Sequence, residues 1–129
     1  VVDLPTFIRA CLGAANTGDT PGNRGQCVGL IEVWCDANKK PHIPGNARDL
    51  LGNADHKAYK ATLNLPGNYP PPGAIVCWDS TWGAGFGHCA VVVASNVMHL
   101  VVFEQNNPEG AAPVVATHGY DGVTGWITW

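Results

Sequence analysis

An α+β fold, with N-terminal helices packed on one face of an antiparallel sheet, is predicted by a change of period partway along the 129-residue sequence. Up to about residue 61 the apolar residues recur at helical spacing. From Ala74 onward they fall into short β-branched or aromatic runs split by glycine-rich turns. The proline-rich stretch Pro66 to Gly73 (PGNYPPPG) separates the two halves as a rigid connector.

Residues 4–14 read as a short amphipathic helix. Asp3 suits the N-cap, Pro5 the first turn, and Leu4, Phe7, Ile8, Cys11 and Leu12 share one face. Asn16 to Gly25 (NTGDTPGNRG) has the residues of a loop. Gln26 to Ala37 then forms a second helix, apolar nearly all round and so mostly buried. Residues 47–61 suggest one or two further short helices, capped by Asn46. The sheet follows from AIVCW (74–78), HCAVVVA (88–94), MHLVVFEQ (98–105), the weaker VVATHGY (114–120) and the closing WITW (126–129). No repeat, heptad or low-complexity segment interrupts this order.

Composition narrows the function. With 46% hydrophobic residues the chain can fill the core of one domain, residues 1–129. Charged residues are only 13%, the net charge is −3, and the longest basic run is Lys39-Lys40, which argues against nucleic-acid binding. The longest apolar block, Cys89 to Ala94, has strand length, far below a membrane span. The N-terminus shows neither an initiating methionine nor a signal peptide, so the expectation is a monomeric domain cut from a longer or processed protein.

Five cysteines, at positions 11, 27, 35, 77 and 89, leave one over from any set of disulfides. A core of this size needs no such staples, and synthesis in a reducing compartment is expected. Cys11, Cys35, Cys77 and Cys89 are read as packing residues, with a Cys77–Cys89 bridge not favoured. Cys27 differs because it starts a helix after an open loop, where unpaired N–H groups and the helix dipole favour a thiolate. His88 opens a strand behind a glycine-rich loop, a suitable post for a proton shuttle. Glu104 and Asn106 share parity on an extended run, so both side chains are expected on one face. If that strand pairs with the one carrying His88, either can hydrogen-bond the far ring nitrogen, with Glu104 favoured as the orienting group and Asn106 then a secondary contact. The catalytic set is thus Cys27, His88, Glu104 and Asn106.

Trp34 and Trp126 are assigned to the core, Trp78 to either core or groove, and Trp82 to the wall of the substrate groove. His42, His56, His99 and His118 are expected to be scattered and exposed. No paired C-x₂-C set offers a zinc site. Asp19, the one carboxylate in the loop before Cys27, falls short of what a hard cation needs, so no metal or cofactor is expected.

Five segments in order resemble the CHAP family, the cysteine- and histidine-dependent amidohydrolases/peptidases of the papain-like group. Gly25-Gln26-Cys27 looks like its nucleophile motif, and Pro72 to Val76 like the strand entry, with Ala74 where an aspartate is usual. Gly87-His88 looks like the histidine motif, and Glu104-Gln105-Asn106 like the acid motif. Gly119-Tyr120 through Ile127 looks like the last strand. The resemblance spans nearly the whole chain. It implies a papain-like fold and a thiol amidase or endopeptidase that cuts bacterial peptidoglycan, with Gln26 contacting substrate. It further implies a bacteriophage lysis enzyme, made in the host cytoplasm and acting at the cell wall after release. The rival readings are an inactive wall-binding module and a papain-like hydrolase or transferase acting on a small amide.

Overall fold

A computed structural model describes residues 2–129. Helix α1 spans Leu4–Cys11, with the Asp3 side chain accepting from the Thr6 N–H at 2.8 Å and Pro5 in the first turn. It buries Phe7 and Cys11 and stops three residues short of the expected end. Helix α2 spans Cys27–Ala37 and starts directly on the candidate nucleophile, with Gln26 at the N-cap. Residues 47–49 form a single 3₁₀ turn that runs into the short helix α3, Leu50–Asn53.

Among the described residues six strands form one antiparallel sheet: β1 (Lys60–Leu63), β2 (Ile75–Trp78), β3 (His88–Ser95), β4 (Leu100–Glu104), β5 (Val114–His118) and β6 (Val123–Thr128). Their spatial order is β1-β6-β2-β3-β4-β5. Strand β1 corrects the sequence reading, which carried helix to residue 61. Lys60 to Leu63 is mostly exposed and pairs only with β6, so neither alternation nor β-branching announces it. Tertiary pairing overrides local propensity there.

Alternate residues of the central strands feed two apolar clusters. On the helical side Phe7, Leu30, Ile31 and Trp34 meet Ile75, Cys77, Cys89, Val91 and Phe103. On the opposite side Val76, Trp78, Ala90, Val92, Leu100 and Val102 pack together with Trp126. Each such large side chain removed from water contributes about 1.5–3 kcal/mol. The order of strands matters for chemistry because β3 lies between β2 and β4. His88 at the start of β3 thereby gains Trp78 as its partner on one side, while β4 brings Glu104 from the other.

Two glycines close the loops onto this frame. A methyl group on Gly29, in the first turn of α2, would sit 2.2 Å from the Asn23 carbonyl oxygen and 2.5 Å from that of Thr17. The loop 16–25 can therefore fold flat against the start of α2. Gly87 has φ +81°, and an added methyl would meet the Arg48 nitrogen at 2.6 Å. Only glycine fits beside His88 without displacing that backbone.

Candidate active site

Cys27 and His88 line the same groove, a cavity of about 280 Å³ shared with Asn23, Gln26, Asn46, Phe86 and Asn106. A larger cavity of about 350 Å³, between Trp34, the 71–74 segment and Trp129, contains neither of them. Among the described residues no Asp, Glu, Lys or Arg lines the reactive groove, whose polar wall is built from amide side chains.

The Cys27 thiol is held down to a pKa of about 5. A hydrogen bond from the Cys89 side chain lowers it most; burial opposes; the His88 ring then lowers it further through a hydrogen bond and its charge. The N–H groups in the first turn of α2 favour the same charge. Cys89, read from the sequence as a packing residue, is buried in the same apolar cluster as Cys27. The remaining thiols move the other way. Burial pushes Cys77 up to about 12, Cys89 well above the ordinary value, and Cys11 and Cys35 upward as well. All five cysteines are unpaired, including Cys77 and Cys89, which lie opposite each other on β2 and β3.

His88 is buried, at 2% exposure, and its Nε2 donates to Glu104 Oε1 at 2.9 Å. Burial alone would lower its pKa, but hydrogen bonds and charge from Cys27 and Glu104 outweigh that and raise it to about 9. With Nε2 committed to Glu104, Nδ1 is the nitrogen left for the thiol. Glu104 is likewise 2% exposed. Its burial pushes toward protonation, yet hydrogen bonds from His88 and His118 keep its pKa below the usual carboxylate value.

Asn106 does not face His88 in the way strand parity suggested. Strand β4 ends at Glu104, and Asn106 has φ +66°, which turns it out of the sheet. Its Nδ2 donates instead to Gln26 Oε1 at 3.1 Å. Trp82 stacks on the His88 ring, with centroids 5.9 Å apart and planes 16° apart, beside the groove wall formed by Gly83 and Phe86. Trp78 is fully buried and packs on His88 at 5.1 Å. His118, expected to be exposed, donates to Glu104 at 2.9 Å.

Gln105 carries a role that its sequence position did not reveal. At 1% exposure, its Oε1 accepts from the Thr17 N–H, and its Nε2 donates to the carbonyls of Thr17 and Gln26. It pins the loop before the nucleophile to the end of β4. Gln105→Ala orphans these buried backbone groups, so an unfolding stability loss of about 2–4 kcal/mol is expected in urea titration. Gln105→Glu, which keeps the size but removes the donor pair, should lose a comparable amount.

Asp19 lies 3.8 Å from His42, which also pairs with Asp36 at 2.9 Å and Glu32 at 3.3 Å. Asp19, Asp36 and His42 converge as an exposed group. With the buried Glu32 beside them, one imidazole and three carboxylates gather on this face, and no step is assigned to a metal. No helix among the described residues is long and apolar enough to cross a membrane.

The chain is 30% identical over 125 residues to Endolysin PlyTW of Staphylococcus phage Twort, covering 87% of this chain and 27% of that protein. It thus spans about a quarter of the length of that relative. The crystal structure of wild-type endolysin LysIME-EF1 superposes with a TM-score of 0.75 at 21% identity, covering 99% of this chain and 64% of that one. The structure of Ly7917 with the hydrolyzing product of MDP gives 0.71 at 20% identity, covering 95% and 59%. These two likenesses establish the shared fold. The CHAP domain profile matches residues 16–106, a stretch holding Cys27, His88, Glu104 and Asn106, and the chain belongs to the CHAP domain family.

Proposed function

We propose that this chain is a peptidoglycan hydrolase that cuts an amide bond of the cell-wall peptide through a Cys27 acyl-enzyme. The observation that carries this reading is the pairing, in one groove, of a thiol held near pKa 5 with a buried imidazole bonded to Glu104. Family membership and the phage endolysin relative supply the substrate class. Thiolate Sγ attacks the carbonyl carbon, and the oxyanion is received by the Cys27 N–H. His88 Nδ1–H protonates the departing nitrogen as the C–N bond breaks, leaving a thioester. The neutral ring then takes a proton from water, the hydroxide attacks the thioester, and the C–S bond breaks to restore thiolate and imidazolium. Gln26 is assigned as a second oxyanion donor. Asn106 holds its Oε1, which frees the Gln26 NH₂ group for the groove.

Glu104 orients His88, and the neutral, amide-lined groove suits the backbone of a short peptide better than a charged side chain. On this reading the enzyme acts at the cell wall during bacterial lysis. The test is digestion of purified peptidoglycan, with mass spectrometry of the released fragments. New amino termini without new reducing sugar ends are expected. Their position separates an N-acetylmuramoyl-L-alanine amidase from an endopeptidase. Intact walls, or new reducing ends, would overturn the assignment.

A further inference from the structure

We propose that His118 is a positioning residue for this site: its Nε2–H locks the Glu104 carboxylate in the one orientation that holds the His88 ring. The inference rests on the reading of His88 as the acid–base group. Its basis is geometric. His118 Nε2 lies 2.9 Å from Glu104 Oε1 and 3.1 Å from Oε2, while His88 Nε2 lies 2.9 Å from Oε1. Among the described residues the only other side-chain donor on that carboxylate is Asn107 Nδ2, at a long 3.4 Å from each oxygen.

A carboxylate accepts at about four sites, and one that is buried must fill them from protein donors or lose its charge. One hydrogen bond to His88 leaves Glu104 free to rotate about its terminal bond. A second donor straddling both oxygens removes that freedom. Because Nε2 faces an acceptor-only group, it must carry the proton, so the His118 tautomer is fixed as well. Aromatic packing locks the two imidazoles in the same frame. Trp82 stacks flat on His88 and meets His118 edge-on at 5.2 Å, and Trp78 meets His118 edge-on at 5.7 Å. His118 is 19% exposed at its side chain, against 3% for His88 and 2% for Glu104, so it is the solvent-facing end of the chain His88–Glu104–His118.

A double-mutant cycle tests this, with two readouts: peptidoglycan turnover and the rate of Cys27 alkylation by iodoacetamide between pH 4 and 10. His118→Leu should lower kcat about 10-fold with KM unchanged and slow alkylation near pH 6. His118→Gln, which keeps an N–H donor, should stay within about 2-fold of the wild type. In a Glu104→Gln background the leucine variant should add less than about 2-fold, because its effect passes through the missing carboxylate. Full, additive losses in that background, or a glutamine variant as impaired as the leucine one, would overturn the proposal. The alkylation readout needs no cell wall. A His118-dependent thiol rate in a protein that leaves walls intact would reject the substrate assignment and keep this one. Wall cleavage indifferent to His118 would do the reverse.

Discussion

Cys27→Ala should abolish peptidoglycan cleavage, with a loss of at least about 10³-fold, while leaving the fold intact. The proposed step forms a covalent thioester, and no other described group in the groove can replace the sulfur. Cys89 is an alternative thiol, but it is fully buried, and that burial, which the variant keeps, pushes its pKa above the ordinary value. It remains protonated at working pH. Alanine removes only one small, mostly buried atom, so the thermal midpoint should move by a few degrees at most. Activity measured beside a melting curve separates the two effects. Turnover persisting in Cys27→Ala at more than a few per cent would move the nucleophile elsewhere.

His88→Asn should be nearly as damaging, about 10²–10³-fold in kcat, and should also change the pH dependence. In the wild type the productive pair is thiolate with imidazolium. The thiolate is lost as pH falls through about 5, and the imidazolium is lost as pH rises through about 9. A broad bell between those limits is therefore expected for kcat/KM. Without the ring, Cys27 keeps the hydrogen bond from Cys89 but loses the one from His88 and its charge. Its pKa must rise toward the ordinary value, so the acid limb should move upward. A variant whose acid limb stays in place would show that His88 does not contribute to thiolate formation.

The large elements of this fold were legible because they obey local rules. Asp3 and Pro5 announce α1, the apolar face of residues 26–37 announces α2, and the runs at 74–78, 88–94 and 98–105 are β-branched strands flanked by turns. Strand β1 was illegible because its identity lies in its pairing with β6, not in its own four residues. The pairing of Glu104 with His88 was legible in part, from parity and an assumed strand pairing that left Asn106 as the alternative partner. That of His118 with Glu104 was not, since the register sets His118 opposite Leu100 and Glu104 opposite Val114. That register leaves the two residues four positions apart along the ladder, so neither periodicity nor strand pairing announces their contact. Asn106 failed for a related reason: parity holds only while the strand lasts, and its positive φ lies beyond the end of β4. Gln105 and Cys89 had signals too weak to read, an amide inside a motif and a cysteine inside an apolar run.

The most direct measurement is the pH dependence of iodoacetamide incorporation, resolved to individual cysteines by peptide mapping of the folded wild-type protein. A single adduct on Cys27, with a rate that half-saturates near pH 5, is the predicted result, while Cys11, Cys35, Cys77 and Cys89 stay unlabelled through neutral pH. A Cys27 rate that rises only above about pH 8, as for an unperturbed thiol, would contradict the account, as would faster labelling at any of the other four positions.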